Sequence, residues 1–301
     1  MTNSVIPEQL RKHEIPGHVA IVQGNGGLTK INVVARPGMA EIYLHGAHVT
    51  GFQKNGEPPL LFLSRQSRFA ANETIRGGVP ICFPWFGPRE GDVAHGFARV
   101  TAWELVATSA APDGVVTTRL QLPKHSMKSD WSLLRAEFVV TVTDALTMEL
   151  LVTNKSADKT VELENCLHTY FYVGDIGAVS ITGLQNAPFD DFAAGAGGAR
   201  KLERDPVLRI TKETNRVYPN ATAMVEIRDE NFRRTIRVEK FNSHSTVVWN
   251  PGTTQKLPDD FDPAEYEKMV CVESGNVKQN KLSLAPGKTT SLKVVLGSHS
   301  L

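Results

Sequence analysis

The stretch Phe138-Val139-Val140-Thr141-Val142-Thr143-Asp144-Ala145-Leu146-Thr147-Met148-Glu149-Leu150-Leu151-Val152 decides the fold class. Side chains of a β-strand alternate between two faces. Phe138, Val140 and Val142, then Leu146, Met148, Leu150 and Val152, fall on one face, with Thr141, Thr143, Thr147 and Glu149 between them. The pattern predicts a hairpin that turns near Asp144-Ala145. Short β-branched runs recur outward from it in both directions, from HVAIVQ and KINVVAR to KMVCVE and SLKVVL, separated by Gly, Pro, Asn and Asp. In Ala285-Pro286-Gly287-Lys288, Pro and Gly stand where a type II turn wants them. Helical periodicity is confined to short pieces over 6–13, 128–134 and 263–268, and no strand–helix–strand rhythm is present. An antiparallel all-β sandwich or barrel is therefore predicted.

Strand-type segments run from near residue 18 to near 297 without a linker, which predicts one domain over residues 1–301. The Gly/Ala-rich tract from Ala193 to Ala199 reads as a loop, and Gly24-Asn25-Gly26-Gly27 follows a strand without opening a helix, so it reads as a turn. Thirty-three Lys plus Arg against thirty-two Asp plus Glu leave a formal charge of +1. Sequence-independent grip on nucleic acid needs an excess of cations, so no nucleic-acid partner is expected. No apolar run approaches the roughly 20 residues that cross a bilayer, and MTNSVIPEQLRKHEIPGH lacks the layout of a secretory signal. A cytoplasmic protein with no membrane partner is expected, with a monomer as the default. Cys82, Cys166 and Cys271 lack CxxC spacing and read as buried thiols rather than a disulfide framework or zinc site.

Three segments could carry chemistry. The first is Thr74-Ile75-Arg76-Gly77-Gly78-Val79-Pro80-Ile81-Cys82-Phe83-Pro84-Trp85-Phe86-Gly87-Pro88, followed by His95-Gly96-Phe97-Ala98-Arg99. Glycines and prolines fix an irregular backbone around two arginines and several aromatics, which suits an anion plus an apolar ring face. The same composition equally describes a connection between sheets. The second is Glu162 to Tyr172, where period two puts Glu164, Cys166, His168 and Tyr170 on one face and Leu163, Leu167 and Phe171 on the other. The third, Met269-Val270-Cys271-Val272-Glu273, ends an apolar strand in a carboxylate, which alone reads equally as a surface acid. There is no GxSxG elbow, no HExxH and no Cys/His cluster with metal-ligand spacing, so serine hydrolase and zinc chemistry lack support. His45 and His48, three apart in a strand-like stretch, fall on opposite faces.

Taken in order, IRGGVPICFPWFG, HGFAR with Trp103, NCLHTYF, Gly183-Leu184, ETNRVY, VVWNPG and MVCVESGNV resemble the aldose 1-epimerase-like family, and more closely its hexose-6-phosphate mutarotase branch. The landmarks run from about Arg76 to Val277. The resemblance implies a large antiparallel β-sandwich of the galactose mutarotase type. It implies interconversion of the α and β anomers of an aldohexose 6-phosphate, a small-molecule substrate, with no cofactor and no metal. Glu273 would take the proton of the anomeric hydroxyl and His168 would protonate the ring oxygen, tasks that a tuned carboxylate and imidazole can share. Arg76 and Arg99 would clamp the phosphate and His95 would lie beside the sugar. Trp85 would either offer an apolar face to the pyranose or serve as core packing, and Asp191 would offer a polar contact. Many relatives have Gln at the positions of Ala94 and Trp85, and Asp at that of Asn215. Activity on unphosphorylated sugar, with a structural Arg76/Arg99 pair, is an alternative, as is a non-catalytic carbohydrate-binding module. The presence of both His168 and Glu273 speaks against the latter.

Overall fold

The computed structural model of the chain describes residues 6–127 and 131–301. The hairpin that set the fold class forms as expected: Leu134–Val142 pairs antiparallel with Leu146–Asn154, with Phe138 opposite Leu150 and Val142 opposite Leu146. All seven apolar residues of its inward face are fully buried, while the threonines between them are half-exposed. A Phe138→Ala variant is expected to lose about 3–5 kcal/mol of stability, through lost transfer energy plus a cavity. A fall in the urea midpoint at constant m would register it.

The hairpin belongs to an eight-stranded sheet that also holds Glu104–Ala110, Val116–Gln121, Val179–Thr182, Val225–Asp229, Arg234–Phe241 and Thr289–Ser300. A second eight-stranded sheet runs in the order Ala199–Leu202, Pro188–Asp191, Thr214–Pro219, Ser245–Asn250, Met269–Asn276, Asn165–Leu167 and Ile81–Cys82, with Tyr170–Tyr172 also paired to Met269–Asn276. A four-stranded sheet takes residues 19–54, and Val161–Leu163 pairs with Leu282–Leu284. One apolar cluster draws Phe138, Leu150 and Val294 from the first large sheet, Leu167, Val248 and Val270 from the second, and Ile31 and Ile42 from the four-stranded sheet. The architecture is an antiparallel sandwich whose core lies between the inner faces.

Two strands differ from their sequence reading in ways that matter for function. The run VELENCLHTYFYV splits into three short strands with breaks at Glu164 and at His168-Thr169. At the breaks the backbone N–H groups leave the ladder: Glu164 donates to Pro84 O at 2.9 Å and His168 to Pro80 O at 3.0 Å. The irregular Gly/Pro-rich segment thus takes up the backbone donors of Glu164 and His168. Met269–Asn276 continues past Glu273 to Asn276 and is buried along its whole length. Val270 and Val272 face the main core, while Cys271 and Glu273 face the opposite side. Glu273 is therefore the middle of a two-faced buried strand, not its exposed end.

Of the short helical pieces, Glu8–Arg11 is one turn of α-helix and Pro263–Lys268 is a 3-10 helix, capped by Asp262, which accepts from Ala264 N at 3.0 Å. Residues 128–130 of the third lie outside the described residues. Ala285–Lys288 closes as expected, with Lys288 N donating to Ala285 O at 3.1 Å and Gly287 at φ +69°. No helix among the described residues is long and apolar enough to cross a membrane.

Candidate active site

A cleft of about 380 Å³ opens over the outer face of Met269–Asn276. Glu273 lies in its floor, 1% exposed, on a strand fixed on both sides by Ser245–Asn250 and Asn165–Leu167. His168 follows Leu167 where the ladder breaks, and its Nε2 comes to 3.3 Å from Glu273 Oε1. The ring stacks on Tyr170 at 4.7 Å with an interplanar angle of 13°, and meets His95 edge-on at 5.6 Å. Cys166 Sγ donates to the other carboxylate oxygen of Glu273 at 3.6 Å. The alternation read from the sequence holds here: Cys166, His168 and Tyr170 lie on the cleft side, and Leu163, Leu167 and Phe171 in the core.

Burial governs the electrostatics of this pair. Loss of solvent pushes Glu273 up to about 8, against the thiol hydrogen bond of Cys166 and the charge of Arg99. Loss of solvent and the nearby charge of Arg99 push His168 down to about 3. Both shifts favour a neutral imidazole beside a neutral carboxyl, so at neutral pH the pair is net neutral and holds one transferable proton. Its ionic tautomer contains the same number of protons, and the two titrate as a unit.

His95 sits in the left-handed region, φ +64°, followed by Gly96 at φ +78°. A Cβ on Gly96 would lie 2.0 Å from Phe83 O, which explains the His-Gly pair: the backbone crosses there with no room for a side chain. Gly87 N–H donates to His95 Nδ1 at 3.3 Å, so the neutral ring carries its proton on Nε2 as a donor. Burial, then the charges of Arg99, His168, Lys278 and Arg76, hold His95 well below its ordinary range.

The two arginines differ. Arg76 donates from Nε to both carboxylate oxygens of Asp260 at 3.0 Å, which leaves its terminal amines without a partner among the described residues. Arg99 is 8% exposed and donates from Nη2 to Ala94 O at 2.6 Å; among the described residues it has no partner at Nε and forms no ion pair. A buried cation without a counter-charge is costly, and the cleft is where a counter-charge can enter. Three carboxylates fasten the cleft wall that carries Phe261: Asp260 to Arg76, Asp262 to Arg65, and Glu265 to Ser64 and Arg65.

The structure therefore brings His168, Glu273, Arg76, Arg99 and His95 together, and leaves two expected residues out. Trp85 points away from the cleft, buried against Trp131 at 5.1 Å and Phe97 at 5.7 Å, with its Nε1 donating to Val93 O at 3.1 Å. Its neighbour Phe86 takes the cleft side, because successive residues of an extended chain face opposite ways. Asp191 likewise turns outward, paired to Lys201 Nζ at 2.6 Å and accepting from Ala193 N at 3.1 Å, while Phe192 lines the cleft. Asn215, a position that the sequence marks only as a departure from the family pattern, lines the cleft. Lys278 and Gln255 also line the cleft. Lys278 directly follows the MVCVESGNV block, the one signal that could have pointed to it.

Folding also assembles a grouping that linear spacing did not reveal: ligand atoms of His168, Cys271 and Glu273 lie within 4.8 Å of one another. Burial raises the Cys271 thiol well above its ordinary range. The arrangement suits proton transfer between two buried groups at a surface able to hold an anion.

Residues 33–297 match the family described as aldose 1-epimerase. An Escherichia coli protein with the proposed name glucose-6-phosphate 1-epimerase is 34% identical over 249 residues, covering 80% of this chain and 81% of its own length. A plant relative from Cenchrus ciliaris with the same proposed name is 30% identical over 290 residues, covering 92% of this chain and 87% of its own. The crystal structure of a proposed mutarotase from Salmonella typhimurium superposes with a TM-score of 0.85 at 28% identity, covering 96% of both chains.

Proposed function

Because this chain belongs to the aldose 1-epimerase family, we propose that it is a hexose-6-phosphate mutarotase, an isomerase that interconverts the α and β anomers of glucose 6-phosphate and related aldohexose 6-phosphates. The observation that carries the phosphate is Arg99, a buried guanidinium without a counter-charge in the same cleft as the His168–Glu273 pair. The names of the relatives support the same substrate. Lining residues run from Arg76 to Lys278 in one chain, which supports one domain over residues 1–301 and a site complete in a monomer.

Ring opening removes the proton of the anomeric hydroxyl and adds one to the ring oxygen. The hydroxyl donates to Glu273 and the ring oxygen accepts from His168, hydrogen bonds that favour the ionic tautomer of the pair in the complex. Glu273 then takes the O1 proton while His168 gives its own to the ring oxygen. The products are the open-chain aldehyde and the neutral tautomer of the pair. After rotation about C1–C2, Glu273 returns a proton to the carbonyl oxygen and His168 takes one from the C5 hydroxyl as that oxygen attacks the other face. The ionic tautomer is restored and no net proton is consumed. His95 Nε2–H is placed to donate to a sugar oxygen, and Tyr170 holds the plane of the His168 ring.

Anomer exchange measured by NMR for glucose 6-phosphate and for glucose tests the reading. The phosphorylated sugar is expected to exchange faster at equal enzyme; equal rates would leave Arg76 and Arg99 without their role. The pH dependence follows from the shared proton. Glu273 keeps it up to about pH 8, so kcat/KM is expected to fall with unit slope above that value as the pair loses its acid. Below about pH 6 protonation of the substrate phosphate lowers the rate first. A profile still level at pH 10 would remove the pair from the mechanism.

A further inference from the structure

The charges at the phosphate end of the cleft do not balance on the arginines alone. Arg76 is matched by the carboxylate of Asp260, His95 is held neutral, and the His168–Glu273 pair is net neutral. Among the described residues of the cleft, Arg99 is the guanidinium without a counter-charge, a single positive charge against a phosphate that carries close to two negative charges at neutral pH. One further cation lines the same cleft. Lys278 forms no ion pair among the described residues, its Nζ lies 5.9 Å from the Phe192 ring centroid, and a Cβ on Gly87 would lie 3.3 Å from it.

The backbone that carries this lysine is unusual. Lys278 adopts φ +56°, a left-handed conformation that residues with a Cβ avoid unless their surroundings impose it. The surroundings here are Glu164, whose carboxylate accepts from Lys278 N and, at 3.0 Å, from Phe86 N. One half-buried acid therefore ties both lips of the cleft, and its carboxylate is stabilised by two amide donors. The strained residue is held so that its ammonium overhangs the opening.

We propose that Lys278 is a third phosphate ligand, the residue that completes the charge needed to bind a dianion and so sets the preference for a phosphorylated sugar. The inference rests on the hexose-6-phosphate reading. In the complex, Arg76 and Arg99 present N–H donors from the cleft wall and Lys278 closes on the outer phosphate oxygens as a point charge on a flexible stem. Glu164 is a positioning residue for it.

Lys278→Met keeps the Cβ and the stem and removes only the charge. Anomer exchange of glucose 6-phosphate and of glucose is measured for the parent, Lys278→Met and Lys278→Arg, together with inhibition of glucose exchange by inorganic phosphate. Lys278→Met is expected to raise KM for glucose 6-phosphate and Ki for phosphate about tenfold, the order of one charge-assisted hydrogen bond, with kcat and glucose exchange unchanged. Lys278→Arg is expected to restore most of the loss. A parent that prefers glucose 6-phosphate, with Lys278→Met equal to it in KM and Ki, overturns the role of Lys278 alone. A parent that neither prefers the phosphorylated sugar nor binds phosphate overturns both readings. Equal losses on glucose and glucose 6-phosphate would make Lys278 a structural residue and also overturn the assignment.

Discussion

Replacing Glu273 by Gln is expected to lower kcat for anomer exchange by ~10² to 10⁴, the range for loss of one general acid or base group. The amide is nearly isosteric and can still accept from the Cys166 thiol, so packing around a side chain that is 1% exposed should hold. The proposed phosphate ligands lie elsewhere in the cleft, which predicts an unchanged KM. The variant also cannot hold the transferable proton, so the alkaline limb near pH 8 should vanish from whatever rate remains. Exchange at the parent rate would sink the acid–base assignment. A loss accompanied by a lower Tm would point to damage in the strand instead.

The second large effect concerns Arg99, where function and stability should move in opposite directions. An Arg99→Met variant removes the buried guanidinium whose Nε has no partner and whose charge has no counter-ion. Its kcat/KM for glucose 6-phosphate is expected to fall on the order of 10²-fold, because a charged hydrogen-bonding group in a desolvated site is lost. Exchange of glucose should be spared. Tm should rise, because the desolvation cost of an unpaired cation disappears and the methionine stem fills much of the same volume. A variant with lower Tm and intact preference for the phosphorylated sugar would show that Arg99 is there to hold the Ala94 carbonyl and nothing more.

What could be read from the sequence depended on whether one physical signal decided the matter. The Phe138–Val152 hairpin was legible because one of its faces is buried and the other is not, and period two expresses that directly. The Met269–Asn276 strand was harder, because it is buried on both faces and its Glu-Ser-Gly residues look like a strand end. In the segment around His168 the alternation was right, although the strand is broken twice. Sequence alone could not fix the parity of the Gly/Pro-rich stretch, so the adjacent aromatics Trp85 and Phe86 exchanged roles. Asp191 was expected in the cleft on the family resemblance alone, and its neighbour Phe192 stands there. Ala94 and Asn215 were noticed only as departures from a pattern, yet both line the cleft. Lys278 was missed because a left-handed lysine leaves no mark in composition or spacing.

The carboxylate stitches at the cleft wall have a consequence for how the protein becomes active. Glu265 meets Ser64 across 201 residues of chain and Asp260 meets Arg76 across 184. Contacts this distant in sequence are closed only after large loops have been ordered, so they belong to the late, slow part of folding. An intermediate that has not closed these contacts is expected to lack the proposed anion site and to be inactive toward sugar. Regained activity after denaturation should therefore lag behind the recovery of β-sheet signal, and serve as a clock for the final closure of the molecule.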